Sequence, residues 1–205
     1  MNRNDGSIEQ PSGSVQIVNV CSKNKNRRLE GAVFTLYKYN LNTCSFTIAN
    51  TDLVTSPNGI LSIDNLLPGQ YKLVETKAPK GYYLCKNIAA YFHICSDDKG
   101  QIIELEPIYI YNLPLGSIKI IKSDSMKHTL RLEGAVFDLY VYEQKKKKFA
   151  LVQTNLSTDR HGSLIISDLE PGHYKLLEIK APPGYELPSN TETTFVISIE
   201  DKGIM

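Results

Sequence analysis

The chain has 205 residues, with 23 Lys and Arg against 22 Asp and Glu, for a formal net charge of +1. That length suffices for one or two packed domains, and the near-neutral balance gives no electrostatic basis for binding nucleic acid or a membrane surface. Hydrophobic residues make up 41% of the chain, so each half can bury a core, and no apolar run approaches the roughly 20 residues of a membrane helix.

In chain order, residues 1–13 form a polar lead-in without an apolar signal core. Segments rich in Tyr, Val, Ile and Thr then recur between glycines and prolines, a strand pattern. Strands are expected near 14–20, 32–39, 45–51, 59–63, 70–76, 88–95 and 102–112, and again near 117–123, 135–142, 148–154, 162–166, 173–179 and 192–199. No stretch keeps a 3.6-residue period over about ten residues. The expected fold class is all-β, a pair of two-sheet sandwiches with Greek-key wiring. The lysine run from Lys145 to Lys148 falls at a hairpin and reads as a solvated turn.

The second set of strands repeats the first. Leu29-Glu30-Gly31-Ala32-Val33-Phe34 returns as Leu132-Glu133-Gly134-Ala135-Val136-Phe137, and Gly59, Glu75 and Phe92 return as Gly162, Glu178 and Phe195, every pair 103 positions apart. A period this long marks a duplicated domain rather than a solenoid unit. The expected boundaries are domain one at 14–112, a link at 113–116 and domain two at 117–205. The link, Leu113-Pro114-Leu115-Gly116, is short and holds a proline, so the two domains are expected end to end. The second copy stops before a counterpart of Ile108–Asn112. The expectation is that domain two lacks its last strand, as a fragment or because the strand comes from elsewhere.

Within each copy one stretch poses a chemical question. Pro68-Gly69 turns the chain into Tyr71-Lys72-Leu73-Val74-Glu75, whose alternation places Glu75 on the face of Tyr71 and Leu73. If that face is the core, Glu75 and its repeat Glu178 are buried acids, which are costly unless paired or protonated. Four cysteines, Cys21, Cys44, Cys85 and Cys95, lie in the first half at spacings that match no zinc pattern. Half-buried free thiols and one or two disulfides both remain open, and pairing cannot be read from spacing. No metal cluster, phosphate loop or nucleophile–base pair appears, so neither a cofactor nor turnover chemistry is expected.

Each copy resembles the CnaB (SpaA-type, prealbumin-like) domain of Gram-positive pilins and surface adhesins. The resemblance is carried by LxGAxFxLY at Leu29–Tyr37 and Leu132–Tyr140, and by LxPGxYxLxExxAPxGY at Leu66–Tyr82 and Leu169–Tyr185. It covers the first copy end to end and the second up to its last strand. It implies a self-formed isopeptide bond between a lysine on the first strand and an Asn or Asp on the last, assisted by the glutamate of the second motif. Burial would lower the lysine pKa and raise that of the glutamate, and adjacent strands would hold amine and carbonyl together.

Carried over residue by residue, the resemblance implies Lys122 as nucleophile and Glu178 as proton carrier in domain two, with the acceptor absent from the chain. Domain one has Asn112 at the acceptor position and Glu75 as a vestigial proton carrier, but Asn19 stands where the lysine should be. Lys23 lies four residues too far along to replace it. Asn19, Glu75 and Asn112 are instead expected to form a hydrogen-bonded trio, and the four cysteines to be a candidate substitute brace. The implied function is a structural stalk or pilin-like spacer at the cell wall, with other domains of the same surface protein or pilus subunits as partners. Two other readings are an adhesin module for a host matrix protein or glycan, and an acceptor of a strand from another chain. No LPxTG sorting motif or signal peptide is present, so an extracellular location rests on the resemblance.

Overall fold

The computed structural model describes residues 12–85, 89–96 and 104–198. These residues are all strand, turn and loop, and they fall into two compact units, 1–114 and 115–205.

Unit 1 holds β1 (Gly13–Cys21), β2 (Asn24–Arg28), β3 (Val33–Asn40), β4 (Ser45–Val54), β5 (Ile60–Leu66), β6 (Gly69–Lys77), β7 (Tyr82–Tyr83), β8 (Ala89–Ile94) and β9 (Ile108–Pro114). One sheet is ordered β4-β3-β6-β8. The other is built on β1, which pairs antiparallel with β2 and β5 and parallel with β9, and β7 closes the far side of β9. The inward-facing alternate residues of the two sheets meet as one core. Val15, Ile17, Leu61 and Ile63 come from one layer, and Phe34, Leu36, Tyr71, Leu73 and Ile94 from the other. Tyr71 stacks on Phe92 at 5.4 Å and donates its hydroxyl proton to the Leu67 carbonyl at 2.7 Å, so its polar end is satisfied.

Unit 2 repeats the plan with β10 (Gly116–Ile121), β11 (Val136–Glu143), β12 (Lys148–Ser157), β13 (Ser163–Leu169), β14 (Gly172–Lys180) and β15 (Glu192–Ile197). Its larger sheet is β12-β11-β14-β15, and β10 pairs with β13. Among the described residues nothing lies on the other edge of β10, where unit 1 places β9. The effect on burial is direct. Val18 is 2% exposed in β1, while its repeat, Ile121, is 43% exposed in β10.

Several strand boundaries differ from the sequence reading. The strand expected at 102–112 begins at Ile108, because Pro107 cannot donate to a ladder, and residues 101–103 lie outside the described set. Leu113 and Pro114 are not free link. They extend β9 and pair with Tyr83 and Tyr82, while Gly116 already opens β10. Gly13, placed in the lead-in, belongs to β1. Two strands were not foreseen, β2 and β7. The exposed strand β2 is polar throughout, and Lys25 and Arg27 rest over the rings of Tyr111 and Tyr82.

Candidate cross-linking sites

Both acids sit where the alternation places them. Tyr174, Leu176 and Glu178 point inward from β14, and Glu178 is only 5% exposed. Across the core, Lys122 lies one residue past β10. Its backbone is pinned on two sides: its N–H donates to the Gly162 carbonyl at 2.8 Å, and its carbonyl accepts from the Leu132 N–H at 3.1 Å. The side chain then reaches inward, and Nζ donates to Glu178 Oε2 at 2.6 Å, forming a largely buried ion pair. The second oxygen of Glu178, Oε1, is buried without a partner among the described residues.

Gly162 makes this placement sterically feasible. Its φ is +63°, and a Cβ there would lie 2.6 Å from the Lys122 carbonyl oxygen and 2.8 Å from the Leu132 nitrogen. Gly59 is the same device in unit 1, packed against Leu29 and the Asn19 carbonyl.

In unit 1 the Asn112 amide donates from Nδ2 to both oxygens of Glu75, each at 2.9 Å. The face that brings them together is built by β6 and by the parallel pairing of β1 with β9, in which Asn112 lies opposite Cys21 and Asn19 opposite Ile110. Burial pushes the Glu75 carboxyl up to about 7, opposed first by the Asn112 amide and then by that of Asn19. The expected trio is nevertheless only half made. Asn19 is fully buried, yet both Nδ2 and Oδ1 lack a hydrogen-bond partner among the described residues, as does Asn112 Oδ1. The cause is reach: asparagine is two carbons shorter than the lysine that fills this place in unit 2. Its amide comes near enough to ease the charge on Glu75 but not to bond it.

The cysteine brace is not formed. All four thiols are free: Cys21 is buried in β1, while Cys44, Cys85 and Cys95 are exposed. Cys44 is turned back into its own hairpin, donating to the Leu41 carbonyl at 3.6 Å. Lys23, set aside as a nucleophile, is exposed beyond the end of β1.

Sequence reasoning missed a second layer around each site. The tyrosine of each A-P-x-G-Y stretch faces the residue two places after Asn19 or Lys122, and in unit 2 it bonds it. In unit 2 the Tyr185 hydroxyl donates to Asp124 Oδ2 at 2.9 Å. Asp124 also accepts the backbone N–H groups of Met126 and Lys127 at 2.7 Å, contacts that hold its carboxyl below the usual range. In unit 1 the counterparts are Tyr82 and Cys21, and burial first and the thiol second push the Tyr82 hydroxyl upward. A buried threonine also locks the start of each G-A-V-F strand. Thr158 Oγ1 donates to the Leu132 carbonyl at 2.8 Å and accepts from the Ala135 N–H at 3.1 Å, and Thr55 does the same with Leu29 and Ala32. The signal was available, since Thr55 and Thr158 are identical across the repeat. No cluster of three metal-binding side chains occurs among the described residues.

Comparison with known proteins agrees with this architecture. The family model of the SpaA prealbumin-like fold domain matches residues 13–107 and 116–205, one match per unit. The chain belongs to that family. Its fold is shared with a streptococcal ancillary pilin at 23% identity and TM-score 0.51, covering 95% of this chain and 60% of that one. It is shared too with the shaft pilin SpaA from Lactobacillus rhamnosus GG (a D295N mutant) at 16% identity and TM-score 0.55, covering 91% and 94%. The chain thus spans about three-fifths of the streptococcal structure. No curated protein sequence matches it.

Proposed function

We propose that this chain is a load-bearing shaft or stalk segment of a Gram-positive cell-surface protein, and that unit 2 is its cross-linking unit. The observation that carries the reading is the 2.6 Å contact between Lys122 Nζ and the buried Glu178 carboxylate, at the end of β10, which among the described residues pairs on one edge only. Family membership and the pilin folds support the setting. Its partners are then neighbouring domains or pilus subunits, and its location is the cell wall.

The chemistry is a single intramolecular acyl transfer in place of turnover. Proton transfer from Lys122 to Glu178 yields a neutral amine beside a neutral acid. The amine attacks the side-chain carbonyl carbon of an Asn on a strand laid against β10. Glu178 protonates the carbonyl oxygen, then relays a proton to the departing nitrogen. A C–N bond forms, a C–N bond breaks, and one ammonia leaves. The Asn112 amide nitrogen bonded to Glu75 in unit 1 supports this arrangement, because it places the leaving group on the acid. Adjacent strands make the step effectively unimolecular.

Intact mass under denaturing, non-reducing conditions tests the reading. The 205-residue chain is expected to show no loss of ammonia. Incubated with a peptide carrying residues 104–114, it is expected to form a covalent adduct one ammonia lighter than the sum, by strand addition at β10. Lys122→Arg and Glu178→Ala should abolish the adduct. A full-mass mixture with no adduct, in a chain whose unit 2 is folded, would count against the assignment.

A further inference from the structure

We infer that the outer face of the β4-β3-β6-β8 sheet in unit 1 is a carbohydrate site that takes a short pyranose chain. This goes beyond the shaft function and is independent of the cross-link chemistry.

The face is assembled from four strands. Register places Tyr39 opposite Phe46, Gln70 opposite His93 and Lys72 opposite Tyr91. Three rings form a line, Tyr39 to Phe46 at 5.3 Å and Phe46 to Tyr91 at 5.9 Å, both edge to face. Tyr91 is 67% exposed, so its ring is presented to solvent at the end of this line. Phe46 and Tyr91 border a depression of about 340 Å³ whose polar walls are Gln70 and His93. A second depression of about 660 Å³ shares Gln70 and runs round the end of the sheet past Tyr39, Asn42 and Pro68, where Thr47 Oγ1 and Asn40 Oδ1 already bond within the protein.

This combination selects a class of ligand. A pyranose ring presents a flat face of C–H bonds and a rim of hydroxyls. Aromatic rings accept the first, while amide, imidazole and hydroxyl groups, which both donate and accept, meet the second. Gln70 and His93 line the depression beside the exposed ring of Tyr91, with their side chains turned to the outer face.

The repeat supplies an internal control. Unit 2 keeps the framework rings, Tyr142 on Phe149 at 5.3 Å, with Lys175 over Phe149 and Tyr140. Yet Thr194, Val196 and His173 replace Tyr91, His93 and Gln70, and the lysine run 145–148 replaces the amide-rich turn. Its Lys175 is also tied to Glu192 at 2.9 Å, whereas Ala89 stands at that place in unit 1. Lys72, 4.4 Å from the Tyr37 ring centre and 5.1 Å from that of Phe46, has no carboxylate partner among the described residues. The same backbone thus carries the exposed ring of Tyr91 and the imidazole of His93 in one copy and has Thr194 and Val196 at those places in the other.

The test is titration of the full 205-residue chain, followed by ligand-observed NMR, with chitohexaose, cellohexaose, a hyaluronan hexasaccharide and, as a non-sugar probe, an acidic hexapeptide. At least one oligosaccharide should bind. The double variant Tyr91→Thr/His93→Val, which installs the residues of unit 2 in the same register, should weaken binding about tenfold or more. Should that variant fail to fold by circular dichroism, Gln70→Ala gives the same reading. Selective binding of hyaluronan that is lost in Lys72→Gln would define the ligand as an acidic sugar chain. Binding of none of the three sugars, binding of the peptide alone, or equal binding by the folded variant would overturn the inference. None of these outcomes bears on the mass measurement above, so the two readings fail separately.

Discussion

Glu75 and Glu178 are the same residue in two copies, and their neighbours give them different behaviour. Glu178 has a cation at 2.6 Å, and Glu75 has two amides, one of which falls short. With no cation to hold its charge, Glu75 keeps a proton up to about pH 7 in the folded state, against 4.5 in the unfolded chain. Between those values the folded state binds more protons. The stability of unit 1 is therefore full below about pH 4.5 and falls as pH rises through about 7, by at most about 3 kcal/mol. Urea unfolding across that range should show the slope, and Glu75→Gln should remove it. The same pocket is one side chain from completion. Asn19→Lys supplies the amine beside an acid and an amide already in contact, and the intact mass of that variant should fall by one ammonia. In unit 2, Lys122→Met leaves Glu178 buried and unpaired. The cost should be about 2–3 kcal/mol, allowing for the partial exposure of Lys122, and the double change with Glu178→Leu should recover most of it.

At the scale of elements, Lys122 was picked out by the family resemblance, while alternation and the 103-residue repeat placed the two acids and their faces without coordinates. They did so because a strand has a strict period of two, and a buried face tolerates no slip in register. What escaped was set by pairs far apart in sequence. Asp124 meets Tyr185 across 61 positions, and Phe46 meets Tyr91 across the width of a sheet. The unforeseen strand β2 has a local cause that only the contacts reveal. Asp124 folds the next residues into a turn by accepting two backbone N–H groups, whereas the thiol of Cys21 is too weak an acceptor to do so. In unit 1 the chain turns at Ser22-Lys23 and returns antiparallel as β2; in unit 2 a single bridge, Ser123 to Arg131, remains. Gly162 also acts at this scale. Gly162→Ala should cost about 2 kcal/mol or more and push the Lys122 carbonyl away, so both thermal stability and adduct yield should drop together.

For the whole molecule, the two units are one plan with different buried groups, an acid bonded to an amide in the first and an acid paired with an amine in the second. Strand β1 runs parallel to β9 from Ile17–Cys21 against Ile108–Asn112. A pull applied ahead of β1 and behind β9 drags these neighbours lengthwise past each other. Every rung of the ladder is then loaded at once in shear, rather than being peeled singly. Unit 1 is accordingly expected to resist tension without a covalent tie, to give way in one abrupt step and to re-form when slack returns. Single-molecule stretching should show that step, and it should vanish in the Asn19→Lys chain once its new bond spans the two strands.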